Sequence, residues 1–289
     1  MTENKELKPQ ARLSPTSINT YINCPRCYYM QYIYGVQTPP SIHLVKGRIV
    51  HSVLEDFFKT YRKDLDARLL SLFNKLWDKN KKDLDRLELE PEEISKHRTD
   101  CINMIMEYYH MFRRQMNMLL DLGKAENDSH AYYLLKPKFR ELWVEDKDIH
   151  CCGYIDRVNE DYDSNITLGD YKTSSKYGLN FPEDYKRQLS IYALLYRNQE
   201  GIVADEVAVD FLRYGEVYRY EVTDDMLTKA EALIKATWEN TRSVDIDDYA
   251  PNPYCHYKEL CKDDSESNAR IQKIKELIGD KNGKDDSAV

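Results

Sequence analysis

Two residues near the middle of the chain have the types and spacing needed to bind a divalent cation. Asp170 and Lys172 lie two residues apart in the segment ITLGDYKT, which begins at Ile166. Side chains two apart on a strand point to the same face. A carboxylate beside an ammonium group is suited to holding a cation and facing a phosphate. The same pattern is also typical of a surface ion pair, so it does not decide the function alone.

A second carboxylate, Asp156, interrupts the apolar segment CGYIDRV. Residues 161–165 are polar and predict a turn, which would pair the strand that contains Asp156 with the strand that contains Asp170. Both carboxylates would then line one end of a sheet. A buried, unpaired carboxylate is costly, so two of them converging suggests a cation between them.

Two helical segments contain further polar pairs. His51 and Glu55 are four residues apart in GRIVHSVLE, and Gln188 and Tyr192 are four apart in YKRQLSIYALLY. Residues at this spacing share one face of a helix. A histidine taken alone is more typical of ordinary packing than of metal binding, so this alternative stays open for His51.

Taken together and in this order, the segments resemble the RecB-like branch of the PD-(D/E)XK nuclease superfamily. The matching motifs are G-x-x-x-H-x-x-L-E, G-x-I-D-R, G-D-Y-K-T and Q-x-x-x-Y, which begin at Gly47, Gly153, Gly169 and Gln188. The opening segment SPTSINTYINCPRCYYMQY is also similar. The likeness spans about Ser14 to Cys261 and is greatest to the CRISPR-associated RecB-like exonucleases and the nuclease domain of AddB.

The resemblance implies an α/β (α+β) fold with a restriction-endonuclease-like core. A central mixed β-sheet would be flanked by helices, and a helical subdomain and a cysteine cluster joining the N- and C-terminal regions would be added to it. The implied activity is a Mg²⁺- or Mn²⁺-dependent deoxyribonuclease, an exonuclease acting on single-stranded DNA ends in CRISPR adaptation, DNA repair or viral DNA processing. The implied partners are DNA and a helicase or CRISPR integrase.

The resemblance also assigns roles to individual residues. The metal ligands would be His51, Asp156, Asp170 and the carbonyl of Tyr171. Lys172 would position or deprotonate the attacking water, and Glu55 would support His51 or a second metal. Five further residues are candidates for holding DNA: Gln188, Tyr192, Arg157, Lys176 and Arg187.

Seven cysteines, an odd number, argue against a disulfide framework. In the nucleases that the chain resembles, one cysteine before the core and three after it hold an iron–sulfur cluster. Cys24, Cys255 and Cys261 match three of these positions, but Asn252 occupies the remaining one. Cys27 follows Cys24 by three residues and can supply the fourth thiolate, to a [4Fe–4S] cluster or to zinc. The alternative is a set of thiols without metal.

The surrounding pattern predicts the elements that position these residues. Helices are expected at about 15–34, 43–63, 183–198 and 224–241, and throughout 64–123. Strands are expected at 131–135, 139–144, 149–159, 166–173, 204–212 and 217–222. The expected segments are a disordered lead (1–13), N-terminal helices (14–63), a helical subdomain (64–130), the core (131–250), a cysteine segment (251–262) and a mobile tail (263–289).

The charge and composition of the chain bear on the class of function. The formal net charge of −8 argues against a surface covered in basic residues, although one basic cleft remains possible. An apolar signal segment and an apolar run of membrane length are both missing from the sequence, which predicts a cytoplasmic protein without a membrane partner. Most of the 23 tyrosines are expected to pack and a minority to stack on bases. A nuclease-fold adaptor without cleavage activity and an RNA hydrolase are the competing functions.

Overall fold

The computed structural model describes residues 7–36, 41–174, 182–252 and 255. The chain divides into two compact units, residues 39–232 and residues 1–38 with 233–289. Each unit is described by itself below. The expectations for Lys176, Cys261 and the tail at 263–289 lie outside the described residues.

The N-terminal segment forms three short elements rather than the single predicted helix. They are α1 (Pro15–Asn23), α2 (Pro25–Tyr28) and a π-helical turn (Tyr29–Tyr34). The prediction of one helix over 15–34 was wrong because Pro25 disfavours helical backbone at the residue before it. Cys24 is accordingly extended, with φ −163°. The segment ends as expected at Gly35, where φ is 82°.

Residues 39–232 contain a mixed five-stranded sheet in the order β1-β2-β3-β4-β5. Its strands are β1 (Phe139–Asp146), β2 (Cys151–Glu160), β3 (Ile166–Lys172), β4 (Glu206–Phe211) and β5 (Glu216–Glu221). β3 and β4 are parallel, and the other neighbouring pairs are antiparallel. A parallel pair needs a long crossover, and α8 (Glu183–Glu200) provides it. The mixed sheet flanked by helices confirms the expected fold class.

Within the described part of residues 39–232, five helices precede the sheet: α3 (Ile42–Phe57), α4 (Leu65–Lys79), α5 (Lys81–Asp85), α6 (Pro91–Asp121) and α7 (Asp128–Leu135). Their apolar faces form one buried core, which also contains Tyr171 of β3. The core therefore anchors the strand that carries the candidate acidic residues to the helical region. α9 (Asp224–Asn240) and a 3₁₀ turn (Ile246–Asp248) follow the sheet. Among the helices described, none is long and apolar enough to cross a membrane.

The predicted strand at 131–135 is a helix, α7, so this expectation was wrong. Asn127 caps the helix, and its side chain accepts a hydrogen bond from the backbone N–H of His130 at 3.0 Å. Tyr132 is fully buried against an aromatic cluster that includes Phe57, and its hydroxyl donates to the Phe57 carbonyl at 2.8 Å. Capping and tertiary packing therefore override the strand propensity of the two tyrosines and their neighbours.

Candidate active site

Strand β3 places a carboxylate and an ammonium group side by side. The Nζ atom of Lys172 lies 2.7 Å from Oδ2 of Asp170, as the two-residue spacing predicted. Only 3% of Asp170 is exposed. Its Oδ2 atom nevertheless accepts no well-aligned hydrogen bond from the described residues. A buried oxygen in this state retains a lone pair that can bind a cation.

Asp156 lies where β2 and β3 separate. The two strands pair from Glu160 and Ile166 up to Arg157 and Gly169, and the ladder stops there. Beyond that point the Asp156 side chain, rather than a backbone carbonyl of β2, accepts a hydrogen bond from β3: its Oδ2 atom accepts the N–H of Tyr171 at 2.6 Å. The predicted hairpin is confirmed, and it brings Asp156 to the end of β3 that carries Asp170.

His51 reaches the same point from α3. Its Nδ1 atom lies 3.4 Å from Oδ1 of Asp156, and its ring meets the ring of Tyr171 edge-on at 5.8 Å. Burial acts to lower the pKa of His51, but the neighbouring Asp156 outweighs it and raises the pKa to about 8. In the absence of a cation, the imidazole therefore supplies positive charge to Asp156.

Sequence reasoning missed Glu141 on β1. Its neighbours Arg140 and Leu142 pair with Arg157 and Ile155, so Glu141 lies opposite Asp156. Its φ angle is 47°, a left-handed conformation that costs a non-glycine residue about 1–3 kcal/mol. Strain of this kind concentrates at functional sites.

The strained residue completes a group of potential metal ligands. One ligand atom each from His51, Glu141 and Asp156 lies within 4.8 Å of the others. Nitrogen and oxygen donors at this spacing can share one divalent cation. An acidic residue opposite a predicted carboxylate ligand was the signal available in the sequence, but it could be used only after the β1–β2 register was known.

The carboxylates of this cluster carry more negative charge than His51 and Lys172 balance. Burial, followed by the nearby Asp156, raises the pKa of Glu141 to about 7. Burial also raises the pKa of Asp170 to about 6, with Lys172 opposing the shift and Asp156 adding to it. Burial acts to raise the pKa of Asp156 too, but the pKa is lowered because His51 and the Tyr171 N–H stabilise its charge. A divalent cation would relieve the repulsion among the three carboxylates.

Helix α8 fixes the orientation of the β3 pair through Gln188. The Gln188 side-chain amide donates to Oδ1 of Asp170 at 2.8 Å and to the Tyr192 hydroxyl at 3.1 Å. Its oxygen accepts from Lys172 at 2.8 Å. The predicted shared face of Gln188 and Tyr192 is confirmed, and the pair holds both β3 side chains in place.

Arg157 is not brought to this cluster. It is buried with 8% exposure, and its guanidinium donates to Asp210 at 2.7 and 3.1 Å and to Asn159 at 2.7 Å. It crosses over Gly169, on the side of the sheet away from Asp170. This placement does not favour the expected contact between Arg157 and a DNA phosphate.

The structure does not test the roles expected for three other residues. Glu55 forms an ion pair at 3.5 Å with Lys59, which lies just beyond the end of α3. Arg187 is paired with Asp184 on α8. Lys176 lies outside the described residues. The supporting role of Glu55 and the DNA contacts of Arg187 and Lys176 stay predictions.

Three of the four cysteines proposed as ligands come together in the other unit. Cys24, Cys27 and Cys255 are buried, and their sulfur atoms lie within 4.8 Å of one another. The sulfur atoms of Cys27 and Cys255 are 3.1 Å apart, and the N–H of Cys27 donates to the Cys24 sulfur at 3.3 Å. Asn252 instead donates its side-chain amide to the Asn23 carbonyl at 2.8 Å.

The surroundings of Cys24 in the cysteine cluster favour the thiolate form of its side chain. Burial acts to raise the pKa of the Cys24 thiol, but hydrogen bonds from the backbone N–H groups of Asn252 and Cys27 outweigh it and lower the pKa. Thiolates in a buried group of this size are suited to a soft metal or an iron–sulfur cluster. Cys261, the expected fourth ligand, lies outside the described residues.

Known proteins share this sequence pattern and fold. Residues 12–262 match the PD-(D/E)XK nuclease superfamily. The structure is similar to the crystal structure of a Eubacterium rectale protein described as a candidate exonuclease, with a TM-score of 0.53 and 12% identity over 86% of this chain and 87% of that chain. An uncharacterised Rickettsia conorii protein is 27% identical over 177 residues, which cover 56% of this chain but only 19% of that protein. The chain thus matches a minor part of that relative.

Proposed function

The chain belongs to the PD-(D/E)XK nuclease superfamily, and we propose that it hydrolyses phosphodiester bonds in DNA with Mg²⁺ or Mn²⁺. One observation carries the proposal. Potential ligand atoms of His51, Glu141 and Asp156 converge within 4.8 Å, beside the ion pair of Asp170 and Lys172. A fold that needed these strands only as a scaffold would have no reason to gather three carboxylates around two cationic side chains.

The donor set fits a hard divalent cation. The carboxylates of Asp156, Asp170 and Glu141, the His51 imidazole and the Tyr171 carbonyl would hold Mg²⁺ or Mn²⁺, which prefer oxygen and tolerate imidazole. The Oδ2 atom of Asp170, which is buried and accepts no well-aligned hydrogen bond from the described residues, and the raised pKa of Glu141 both support this fit. A bound cation supplies Lewis acidity, which activates water and offsets charge on the scissile phosphate.

Lys172 acts by positioning and by charge. Burial would lower its pKa, but Asp170 outweighs burial and raises it, so the ammonium form persists at neutral pH. An ammonium group held between Asp170 and Gln188 can orient a water molecule and stabilise negative charge on the phosphate. It is not poised to remove a proton. Of the two roles expected for Lys172, positioning therefore has the stronger support.

The cysteine cluster has a structural role in this proposal. Cys24, Cys27, Cys255 and Cys261 would hold a [4Fe–4S] cluster, with structural zinc as the alternative. The metal would tie the start of the chain to its C-terminal region. Reduced thiols at this site accord with the cytoplasmic location expected from the sequence.

The substrate preference and the biological pathway that we propose rest on the sequence resemblance. We propose exonuclease action on single-stranded DNA ends, in CRISPR adaptation, DNA repair or viral DNA processing. A helicase or a CRISPR integrase is the corresponding partner. Gln188 and Tyr192 would keep the site ordered around the DNA, since they already brace Asp170 and Lys172.

The test is cleavage by the purified full chain in Mn²⁺, with labelled single-stranded DNA, duplex DNA and RNA compared. The wild-type protein is expected to cleave DNA, and Lys172→Ala is expected to reduce the rate by roughly 10²–10³-fold. Lys138→Ala is the matched control, because this exposed lysine forms a surface ion pair with Glu160, at 2.5 Å. A folded wild-type protein that cleaves no DNA, or a fully active Lys172→Ala variant, would refute the proposal.

A further inference from the structure

An aromatic pair is exposed on the β1–β2 hairpin. Trp143 and Tyr154 are directly opposite each other in the register, and their ring centroids are 4.7 Å apart. Trp143 is 38% exposed and Tyr154 is 52% exposed. Large aromatic side chains contribute most when they are buried, so two rings held together in solvent form a surface suited to a flat, apolar ligand.

The pair lies next to the candidate active site. Trp143 is two residues from Glu141 on β1, and Tyr154 is two residues from Asp156 on β2, a distance of about 7 Å along each strand. Burial alternates along β2, where Ile155 is buried and Asp156 and Tyr154 lie on the more open side. The rings and the carboxylates therefore share the open face of the hairpin, with a separation comparable to one extended nucleotide.

The backbone under the rings is held in place. Gln199, at the end of α8, donates its side-chain amide to the Trp143 carbonyl at 3.2 Å. Its oxygen accepts the N–H of Glu145 at 3.0 Å. The helix that orients Asp170 through Gln188 therefore also braces the strand that carries Trp143. A platform fixed in this way loses little conformational entropy when a ligand stacks on it.

Charge decides which part of a nucleotide fits this surface. Beyond Trp143, the hairpin carries the carboxylates of Glu145, Asp146 and Asp148, with Lys147 among them. This excess of negative charge repels a phosphate group and leaves the uncharged base as the complementary part. Stacking between a base and an aromatic ring is sequence-tolerant, because every base has a π-face.

We propose that Trp143 and Tyr154 form a stacking subsite for an unpaired base adjacent to the scissile phosphate. The subsite selects single-stranded nucleic acid, because the bases of a duplex are already stacked on their neighbours and cannot reach the rings. This inference rests on the proposed nuclease function. A cross-strand aromatic pair that only stabilises the hairpin is the competing explanation.

Kinetics on single-stranded DNA test the subsite. Trp143→Ala and Tyr154→Ala should each raise KM about tenfold and leave kcat unchanged, because stacking holds the substrate equally before and during the reaction. Trp143→Phe and Tyr154→Phe should retain near wild-type KM. Tyr162→Ala is the matched control, because Tyr162 is 73% exposed but lies on the β2–β3 turn.

A modified substrate separates stacking from hairpin stability. An oligonucleotide with one abasic position, scanned along the strand, should raise the wild-type KM to the level of Trp143→Ala at one position only. The same substrate should cause no further rise with Trp143→Ala. Unchanged KM in both alanine variants, or a wild-type enzyme that is indifferent to every abasic position, would overturn the proposal.

A binding measurement keeps this inference separate from the proposed activity. Oligothymidylate is titrated into the Asp170→Ala protein, with and without Trp143→Phe, and intrinsic fluorescence is recorded. Quenching that disappears with Trp143→Phe supports the subsite even if the wild-type protein cleaves nothing. Normal cleavage without such quenching and without a KM effect refutes the subsite and leaves the nuclease assignment intact.

Discussion

Gly169, immediately before Asp170, is expected to tolerate no side chain. A Cβ atom at this position would lie 2.4 Å from both Cζ and Nε of Arg157, far inside the contact distance of about 3.5–4.0 Å. The Arg157 guanidinium cannot retreat freely, because Asp210 holds it at 2.7 and 3.1 Å and Asn159 holds it at 2.7 Å. The substitution Gly169→Ala must therefore strain β3 or break a buried ion pair.

The expected cost follows from these two routes. Overpacking costs about 1–3 kcal/mol, and disruption of a buried ion pair costs about 3–5 kcal/mol. We expect Gly169→Ala to lower the free energy of unfolding by about 3 kcal/mol, and Tm by roughly 10 °C. Equilibrium urea unfolding followed by circular dichroism, together with a thermal scan, measures both quantities.

Gly47→Ala is the matched control for this experiment. Gly47 lies in α3, and among the described residues a Cβ there would meet Oγ1 of Thr173, at an ordinary 3.5 Å. Alanine should stabilise the helix at this position by up to about 1 kcal/mol. A Gly169→Ala protein within about 1 kcal/mol of wild type would refute the steric reasoning. An undiminished cost in an Arg157→Met background would refute the role given to Arg157.

Three further predictions concern the metal sites. Glu141→Gln should weaken Mn²⁺ binding about tenfold yet stabilise the metal-free protein, because it removes one of the crowded carboxylates. Calorimetric titration measures the Mn²⁺ affinity, and urea unfolding measures the stability. A variant with both a lower Mn²⁺ affinity and a lower stability would contradict the assignment. Mn²⁺ affinity should rise between pH 6 and 9 as protons leave Asp170, Glu141 and His51, whose pKa values are about 6, 7 and 8. Each pKa is raised above its ordinary value of 3.8, 4.5 or 6.5, so the metal-free protein should lose stability as the pH rises from about 4 to about 8. A flat profile for both affinity and stability would be evidence against the cluster. Cys27→Ser should reduce the iron or zinc content of anaerobically purified protein and lower its Tm, whereas Cys152→Ser should not; a colourless, metal-free and stable wild-type protein would eliminate the cysteine site.

The parts of the site that depend on local geometry could be predicted from the sequence. Strand alternation is enough to place Asp170 beside Lys172, and helical spacing is enough to place Gln188 beside Tyr192. The polar turn after Asp156 was sufficient to predict the hairpin. His51 depended on the family resemblance, because its position beside Asp156 is a tertiary contact that no local pattern reveals.

Other features depended on three-dimensional information. Glu141 becomes recognisable only through the β1–β2 register and its left-handed backbone, and neither is visible in the letters FRELWVED. Arg157 lies in a motif next to Asp156, and strand alternation sends its side chain to the other face, where Asp210 binds it. The helix at Tyr132 formed where strand propensity was high, because capping and aromatic packing outweighed it.

The most direct test of the central claim is the rate of Mn²⁺-dependent DNA cleavage by wild type and by Asp170→Ala, prepared and assayed in parallel. Asp170 is the buried carboxylate that contacts both Lys172 and Gln188. We expect cleavage by the wild-type protein that requires added metal, and a loss of roughly 10³-fold or more in the variant with its fold retained. Equal rates in the two proteins, or cleavage that persists without metal, would contradict the account.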